Sequence, residues 1–213
     1  MRATKPFTFS AMSRRAALTG AALAAMATLT GCGGKSAGVA EGDMALGAAE
    51  GAKVTVVEYA SVTCGHCAAW QEQVYPEFKT KYVDTNQVRY VFREFPTAPE
   101  AVAVAGFLIA RCAGPDKYFP VIHEIMASQH EIFGGTPPRT VLLRIANGAG
   151  LSEEQFQACV TDADAIKAMD ARIKSAIDAG VTGTPYFLVN GEHVADSSLS
   201  SLSEKIDAAL AAS

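Results

Sequence analysis

Cys64-Gly65-His66-Cys67 is the stretch of this 213-residue chain whose residue types and spacing most directly suggest chemistry. A thiolate is the reactive form of cysteine, and two thiols one helical turn apart can close a disulfide or resolve a mixed one. If Cys64 opens a helix, it meets unpaired N–H groups and the positive end of the dipole, and both favour thiolate. His66 can add a donor or a positive charge. A stabilised thiolate stabilises the dithiol form and makes the disulfide form oxidising. Other uses of C-x-x-C fit less well. Haem attachment needs His directly after the second Cys, where Ala68 stands. Structural zinc needs two further ligands at matching spacing, and Cys112 and Cys159 are solitary.

The elements that must position this pair are legible around it. Lys53–Tyr59 is a β-branched run ending just before the motif, and Val88–Phe95 is a second such run. Between them Cys67, Trp70, Val74 and Phe78 follow helical spacing, with a break expected at Pro76. From Pro99 to about Gly180 the period is helical almost throughout, divided at Gly114-Pro115, at Gly134–Pro138 and at Asn147–Ser152. Ser152 and Gln155 have the spacing of a capping box. Strand character returns at Tyr186–Val189, followed by Asn190-Gly191, a type I′ hairpin signal, and a short strand near His193-Val194. Ser198 to Ala212 reads as a closing amphipathic helix with Leu199, Leu202, Ile206 and Leu210 on one stripe. The pattern predicts an α/β domain formed by residues 51–97 and 181–213, interrupted by a helical insertion over 98–180.

The N-terminus reads as an address. Ala16–Thr30 is uncharged and rich in Ala, Leu and Met, behind a basic segment, and is too short and too weakly apolar to span a membrane. Ser13-Arg14-Arg15 resembles a twin-arginine export signal, and Leu29-Thr30-Gly31-Cys32 a bacterial lipobox. Residues 1–31 are thus expected to be a signal peptide and Cys32 the lipidation site. Residues 32–50, rich in Gly, Ala and Ser, would be a flexible tether. The location implied is periplasmic or otherwise extracytoplasmic, on a bacterial membrane. Residues 1–31 carry four of the 18 Lys and Arg and none of the 22 Asp and Glu, which leaves a body near −8. Such a body lacks the clustered cations that a phosphate backbone requires, so nucleic acid is excluded as a partner.

Setting Cys32 aside leaves four cysteines, an even number, in an oxidising compartment. Cys112 continues the stripe Val102, Ala105, Ile109, and Cys159 lies on the stripe Phe156, Val160, Ala163, so both sulfurs are expected to point inward. Two buried thiols can be small core residues, but export favours a structural Cys112–Cys159 disulfide.

Glu58-Tyr-Ala-Ser-Val-Thr-Cys64-Gly-His-Cys67 together with Val181-Thr-Gly-Thr184-Pro185-Tyr-Phe-Leu-Val-Asn-Gly191 resembles the DsbA-like branch of the thioredoxin-fold thiol-disulfide oxidoreductases, over about residues 51–213. The resemblance implies a thioredoxin fold with a helical insertion and redox catalysis by Cys64 and Cys67. It also implies a cis Pro185 that, with Thr184, faces the sulfurs and lines the substrate site beside Gly65. Glu58 would be the buried acid that moves protons at Cys67. A disulfide like Cys112–Cys159 occurs in some members. Gly-His between the cysteines departs from the Pro-His of DsbA and resembles protein disulfide isomerase, which leaves the strength of oxidation open. The implied partners are folding exported proteins with free thiols and a membrane redox protein that reoxidises or reduces the pair. No cofactor or metal is implied. Nothing before residue 51 reads as a dimerisation domain, so a monomer is expected. A reductase or isomerase of the same fold is the alternative within this chemistry, and a non-catalytic lipoprotein binding module the alternative outside it.

Three weaker signals are set aside. Gly31–Ser36 lacks the first glycine and the flanking elements of a phosphate loop. Asp162-Ala-Asp164 is followed by Ile166 and Lys167 where a calcium loop needs a ligand and a glycine. His123 and His130 have no third ligand in view.

Overall fold

The computed structural model describes residues 40–212; the expected signal peptide, Cys32 and the first part of the tether lie outside them. Five strands, β1 (Met44–Gly47), β2 (Thr55–Ala60), β3 (Arg89–Glu94), β4 (Tyr186–Val189) and β5 (Glu192–Val194), form one mixed sheet in the order β1-β3-β2-β4-β5. Only β2 and β3 run parallel, and the segment connecting them holds α1 (Gly65–Gln73), α2 (Tyr75–Phe78) and a π-helical turn over Lys79–Val83. The break between α1 and α2 falls beside Pro76, which sits in the first turn of α2, where its missing N–H costs no helical hydrogen bond.

Alternation along β2 decides what each face carries. Val56 and Ala60 point with Tyr90, Phe92, Phe187 and Val189 into the main core, closed over by Cys67 and Trp70 of α1 and by Leu202 and Ile206 of α9 (Leu199–Ala211). Glu58 stands between Val56 and Ala60 on that same face and is buried. Val57, Tyr59 and Val91 take the other face, against Ala176 of α8 (Ala163–Asp178) and Val181. β4 closes on β5 through Asn190 and Gly191, with φ of 49° and 86°, the left-handed pair a type I′ turn needs.

Between β3 and β4 lie α3 (Glu100–Cys112), α4 (Pro115–Ala127), α5 (Gln129–Phe133), α6 (Pro138–Gly148), α7 (Glu153–Val160) and α8. Ser152 caps α7 with the full reciprocal box: its Oγ accepts from the Gln155 N–H at 3.1 Å, while the Ser152 N–H donates to Gln155 Oε1 at 2.8 Å. Cys112 and Cys159 form a disulfide joining the end of α3 to α7. Cys159 is buried, but Cys112 is exposed, contrary to the inward direction its spacing suggested. Cys112 is the last residue of α3, beyond the buried run that ends at Ala110, so its helical phase is kept while the core has already ended beneath it.

The tether expected to run through residue 50 does not do so. Met44–Gly47 pair antiparallel with β3, Met44 opposite Phe92 and Leu46 opposite Tyr90. Asp43 fixes the approach to this strand by accepting from Arg93 at 2.9 and 2.8 Å. An Ala- and Gly-rich four-residue strand carries no period of its own; its partner, more than forty residues on, supplies its order.

Candidate active site

The site begins with how the loop before α1 is held. Ser61 and Thr63 are buried, and their hydroxyls lie 3.0 Å apart. Thr63 Oγ1 donates to the Thr97 carbonyl at 2.8 Å, and the Thr97 N–H donates to Ser61 Oγ at 3.1 Å. Gln129 reaches in from α5, and its Nε2 donates to the carbonyls of Val62 at 2.9 Å and Cys64 at 3.1 Å. Val62 in turn packs on Gly106 of α3, where a Cβ would stand 2.9 Å from Val62 Cγ2 and 3.2 Å from Ile125 Cδ1. Only glycine allows α3, α4 and this loop to approach so closely.

Cys64 is the N-cap of α1, and its sulfur accepts from the Cys67 N–H at 3.4 Å. The first turn of α1 holds no acidic side chain to offset the dipole. Both cysteines are thiols here, Cys64 half-buried and Cys67 fully buried. Their acidities diverge. The Cys64 thiol is pulled down to about 5, first by hydrogen bonding from Cys67, then by Thr184 and the backbone N–H groups of Cys67 and His66, against the burial that pushes it up. Burial pushes the Cys67 thiol far above the usual range, helped by its hydrogen bond to Cys64 and by the Glu58 charge. So the accessible sulfur is the thiolate and the inner one holds its proton. His66 is exposed, and it is its backbone N–H that acts on Cys64.

Thr184-Pro185 is a cis peptide just before β4, and the Thr184 carbonyl lies 3.4 Å from Cys64 Sγ, close enough to accept from the thiol. Thr184 Oγ1 is buried with no hydrogen-bond partner among the described residues; the Cys64 thiolate offers it an acceptor. Gly65 is exposed, with open space where a side chain would be. A cavity of about 420 Å³ between α1 and Pro185 is lined by His66, Trp70, Gln73, Pro185, His193 and Asp196, among others. Trp70, one turn beyond Cys67, is buried and donates through Nε1 to the Ser197 carbonyl at 2.8 Å.

Glu58 is buried on the sheet face beneath α1 and accepts a hydrogen bond from the Tyr90 hydroxyl. Burial pushes its carboxyl up to about 8, the Tyr90 hydrogen bond opposing and the Cys64 charge adding to the rise. Glu58, Cys64 and Cys67 from one segment and Thr184 and Pro185, some 120 residues on, thus converge at one end of the sheet. Tyr90 and Gln129 were missed in the sequence. Tyr90 reads there as one more apolar strand position, and Gln129 sits in a helical segment with nothing local to mark it. Among the described residues no three or more His, Cys, Asp or Glu gather to hold a metal ion, and no helix is long and apolar enough to cross a membrane.

Residues 39–208 match the family model described as thioredoxin. A Rickettsia bellii protein named as a protein-disulfide oxidoreductase is 34% identical over 172 residues, which are 80% of this chain and 65% of that protein. The chain therefore spans about 65% of that relative's length. The crystal structure of Wolbachia pipientis alpha-DsbA1 is similar with a TM-score of 0.74 and 25% identity, over 82% of this chain and 94% of that one. A thioredoxin-like oxidoreductase from Silicibacter pomeroyi has a TM-score of 0.65 and 29% identity, covering 80% of this chain and 94% of the other.

Proposed function

From the premise that this chain belongs to the thioredoxin family, as a DsbA-like member, we propose that it is a thiol-disulfide oxidoreductase that donates the Cys64–Cys67 disulfide to exported proteins. The observation that carries this reading is the split between the two sulfurs. A substrate thiolate attacks Cys64 Sγ of the disulfide, the S–S bond breaks, and its electron pair leaves on Cys67 Sγ. Glu58, buried and protonated below about pH 8, supplies the proton that Cys67 keeps. A second substrate thiolate attacks its own sulfur in the mixed disulfide and expels Cys64 as a thiolate, a good leaving group because its pKa is low. Two electrons and the substrate disulfide are thereby exchanged. The edge at Thr184-Pro185 supports strand-like docking of an extended substrate, and the open space over Gly65 admits its backbone.

The reaction is placed outside the cytoplasm, with residues 1–31 as a signal peptide and Cys32 as a lipid anchor. Strand β1 with residues 51–97 and 181–213 forms the catalytic domain, and 98–180 its helical insertion. A membrane redox protein reoxidises the dithiol, and the enzyme works as a monomer.

The test is the reduction potential of the soluble part, read from Trp70 fluorescence in glutathione buffers. A low Cys64 pKa favours the dithiol, so a value between about −120 and −180 mV is expected. A value near −270 mV would reverse the direction to reductase. Cys64→Ser is expected to abolish turnover, and unaltered biological function in that variant would leave a binding module instead.

A further inference from the structure

Glu58 exchanges a proton with Cys67 in every cycle of the reaction proposed above, and this inference rests on that reading. Yet Glu58 is 1% exposed, and Cys67 is fully buried. A proton must reach them through the protein, and the polar atoms behind Glu58 mark one direction.

Tyr90 of β3 donates its hydroxyl proton to Glu58. Its ring lies 5.7 Å from that of Tyr75 in α2, and Tyr75 lies 4.9 Å from the His123 ring of α4. Tyr75 Oη and His123 Nε2 are both buried and have no hydrogen-bond partner among the described residues. Orphans of this kind in a folded interior are satisfied by bound water where there is room for it. There is room: both residues line a cavity of about 820 Å³ between α1, α2 and α4, whose wall also holds Glu72, Lys79 and His130. Glu72 and His130 are exposed, so the cavity opens to solvent on that side. It is separate from the cavity lined by His66 and Pro185 and shares no lining residue with it.

We propose that this second cavity is the proton port of the redox site, in which water held by Tyr75 Oη and His123 Nε2 exchanges protons with Glu58 by way of the Tyr90 hydroxyl. When Cys67 leaves as a thiolate it takes the Glu58 proton, and a solvent proton entering through the port restores the acid. In the reverse step the Cys67 thiol gives its proton to the Glu58 carboxylate, the port carries it out, and Cys67 attacks the mixed disulfide. His123 suits the place because burial, with the Lys79 charge adding, holds its pKa near 4 and keeps the ring neutral. The groups that surround the route are Cys64 and Cys67 on α1, Tyr75 on α2, Lys79 on the π-turn, Tyr90 on β3 and His123 on α4. Tyr75, Tyr90 and His123 are positioning residues, since none touches a reacting sulfur.

The experiment follows oxidation of the dithiol protein by oxidised glutathione, reading from Trp70 fluorescence the phase in which Cys67 resolves the mixed disulfide, in H2O and in D2O. Tyr75→Phe and His123→Phe each keep a ring in place and remove the polar atom. Each is expected to slow that phase by about fivefold or more, a part of the roughly 10²–10⁴-fold that proton-transfer catalysis supplies, and to enlarge its solvent isotope effect. The reduction potential is expected to stay unchanged. In a Glu58→Gln background the same substitutions are expected to add no further slowing, because the acid they serve is gone. Unchanged rates in both variants would overturn the port, as would equal slowing in both backgrounds, which marks a packing effect. If one variant does not fold, the other carries the comparison. Absence of glutathione exchange in the unsubstituted protein would sink the redox reading itself, and would be seen before any variant is compared.

Discussion

At the residue scale the site works by dividing one fold's environment between two identical thiols and one acid. Cys64 has N–H donors and partial exposure; Cys67 and Glu58 have burial. The Glu58 carboxyl's ordinary value of 4.5 in the unfolded chain rises to about 8 in the fold. Between those two values the unfolded state has lost the proton and the folded state keeps it, so stability falls as pH rises from 4.5 to 8 and the loss is complete above 8. Glu58→Gln removes this titration while keeping an acceptor for Tyr90. Urea unfolding of the dithiol form is expected to show the variant more stable than the parent by roughly 4 kcal/mol at pH 7.5, with the gap nearly closed at pH 4.5. Two parallel stability curves across that range would mean that Glu58 is not held protonated. The resemblance pointed to Glu58 six residues before Cys64, but not to Tyr90, because a strand tyrosine shows its hydroxyl partner only once β2 and β3 are paired in register.

At the scale of elements, local chemistry was legible and long-range pairing was not. The capping box at Ser152, the Asn190-Gly191 turn and the stripe of α9 are short-range patterns, and each stands where its spacing put it. The composition of β1 is that of a tether because its order comes from β3, and the spacing of Cys112 points inward because phase alone does not say where a core stops. Nor did the sequence reveal that α3 and α5 hold the loop before Cys64. Gly106→Ala tests that role: its methyl would press on Val62 and Ile125, and overpacking of this kind costs about 1–3 kcal/mol. Because Val62 precedes the site by two residues and its carbonyl is held by Gln129, the substitution is also expected to raise the Cys64 pKa, read from thiolate absorbance. A stability loss without that change would confine α3 to packing. The Cys112–Cys159 disulfide spans 47 residues, for which chain entropy gives about 4 kcal/mol. Replacing both cysteines with Ala is expected to lower stability by about 2–4 kcal/mol in urea while leaving the reduction potential where it was. A shifted potential would mean that the helical segment tunes the site rather than bracing it.

At the scale of the whole molecule the question is what a body near −8 would do if a lipid on Cys32 held it to a membrane. If Cys32 carries the lipid, the chain is held to the sheet well before residue 50, because Arg111 donates to the Gly42 carbonyl, Arg93 to Asp43, and β1 is part of the sheet. Covalent geometry then limits the span from residue 32 to residue 40 to about 30 Å at most. Under the proposed function, a link of that reach would keep the dithiol near a membrane partner while leaving substrates free to arrive from the aqueous side. Two acyl chains hold such a protein firmly where a single chain binds only marginally. Cys32→Ser is therefore expected to move the protein from the membrane fraction to the soluble extracytoplasmic fraction of cells. Nothing in residues 40–212 is altered by that change, so the purified variant should keep its reduction potential and its exchange rate with glutathione. What should fall is the fraction of Cys64–Cys67 found as a disulfide in cells, read by thiol trapping, since reoxidation loses the high local concentration that anchoring provides. A variant that is released yet remains fully oxidised would show that its oxidant reaches it in solution. A variant that stays on the membrane would show that something other than Cys32 holds it there.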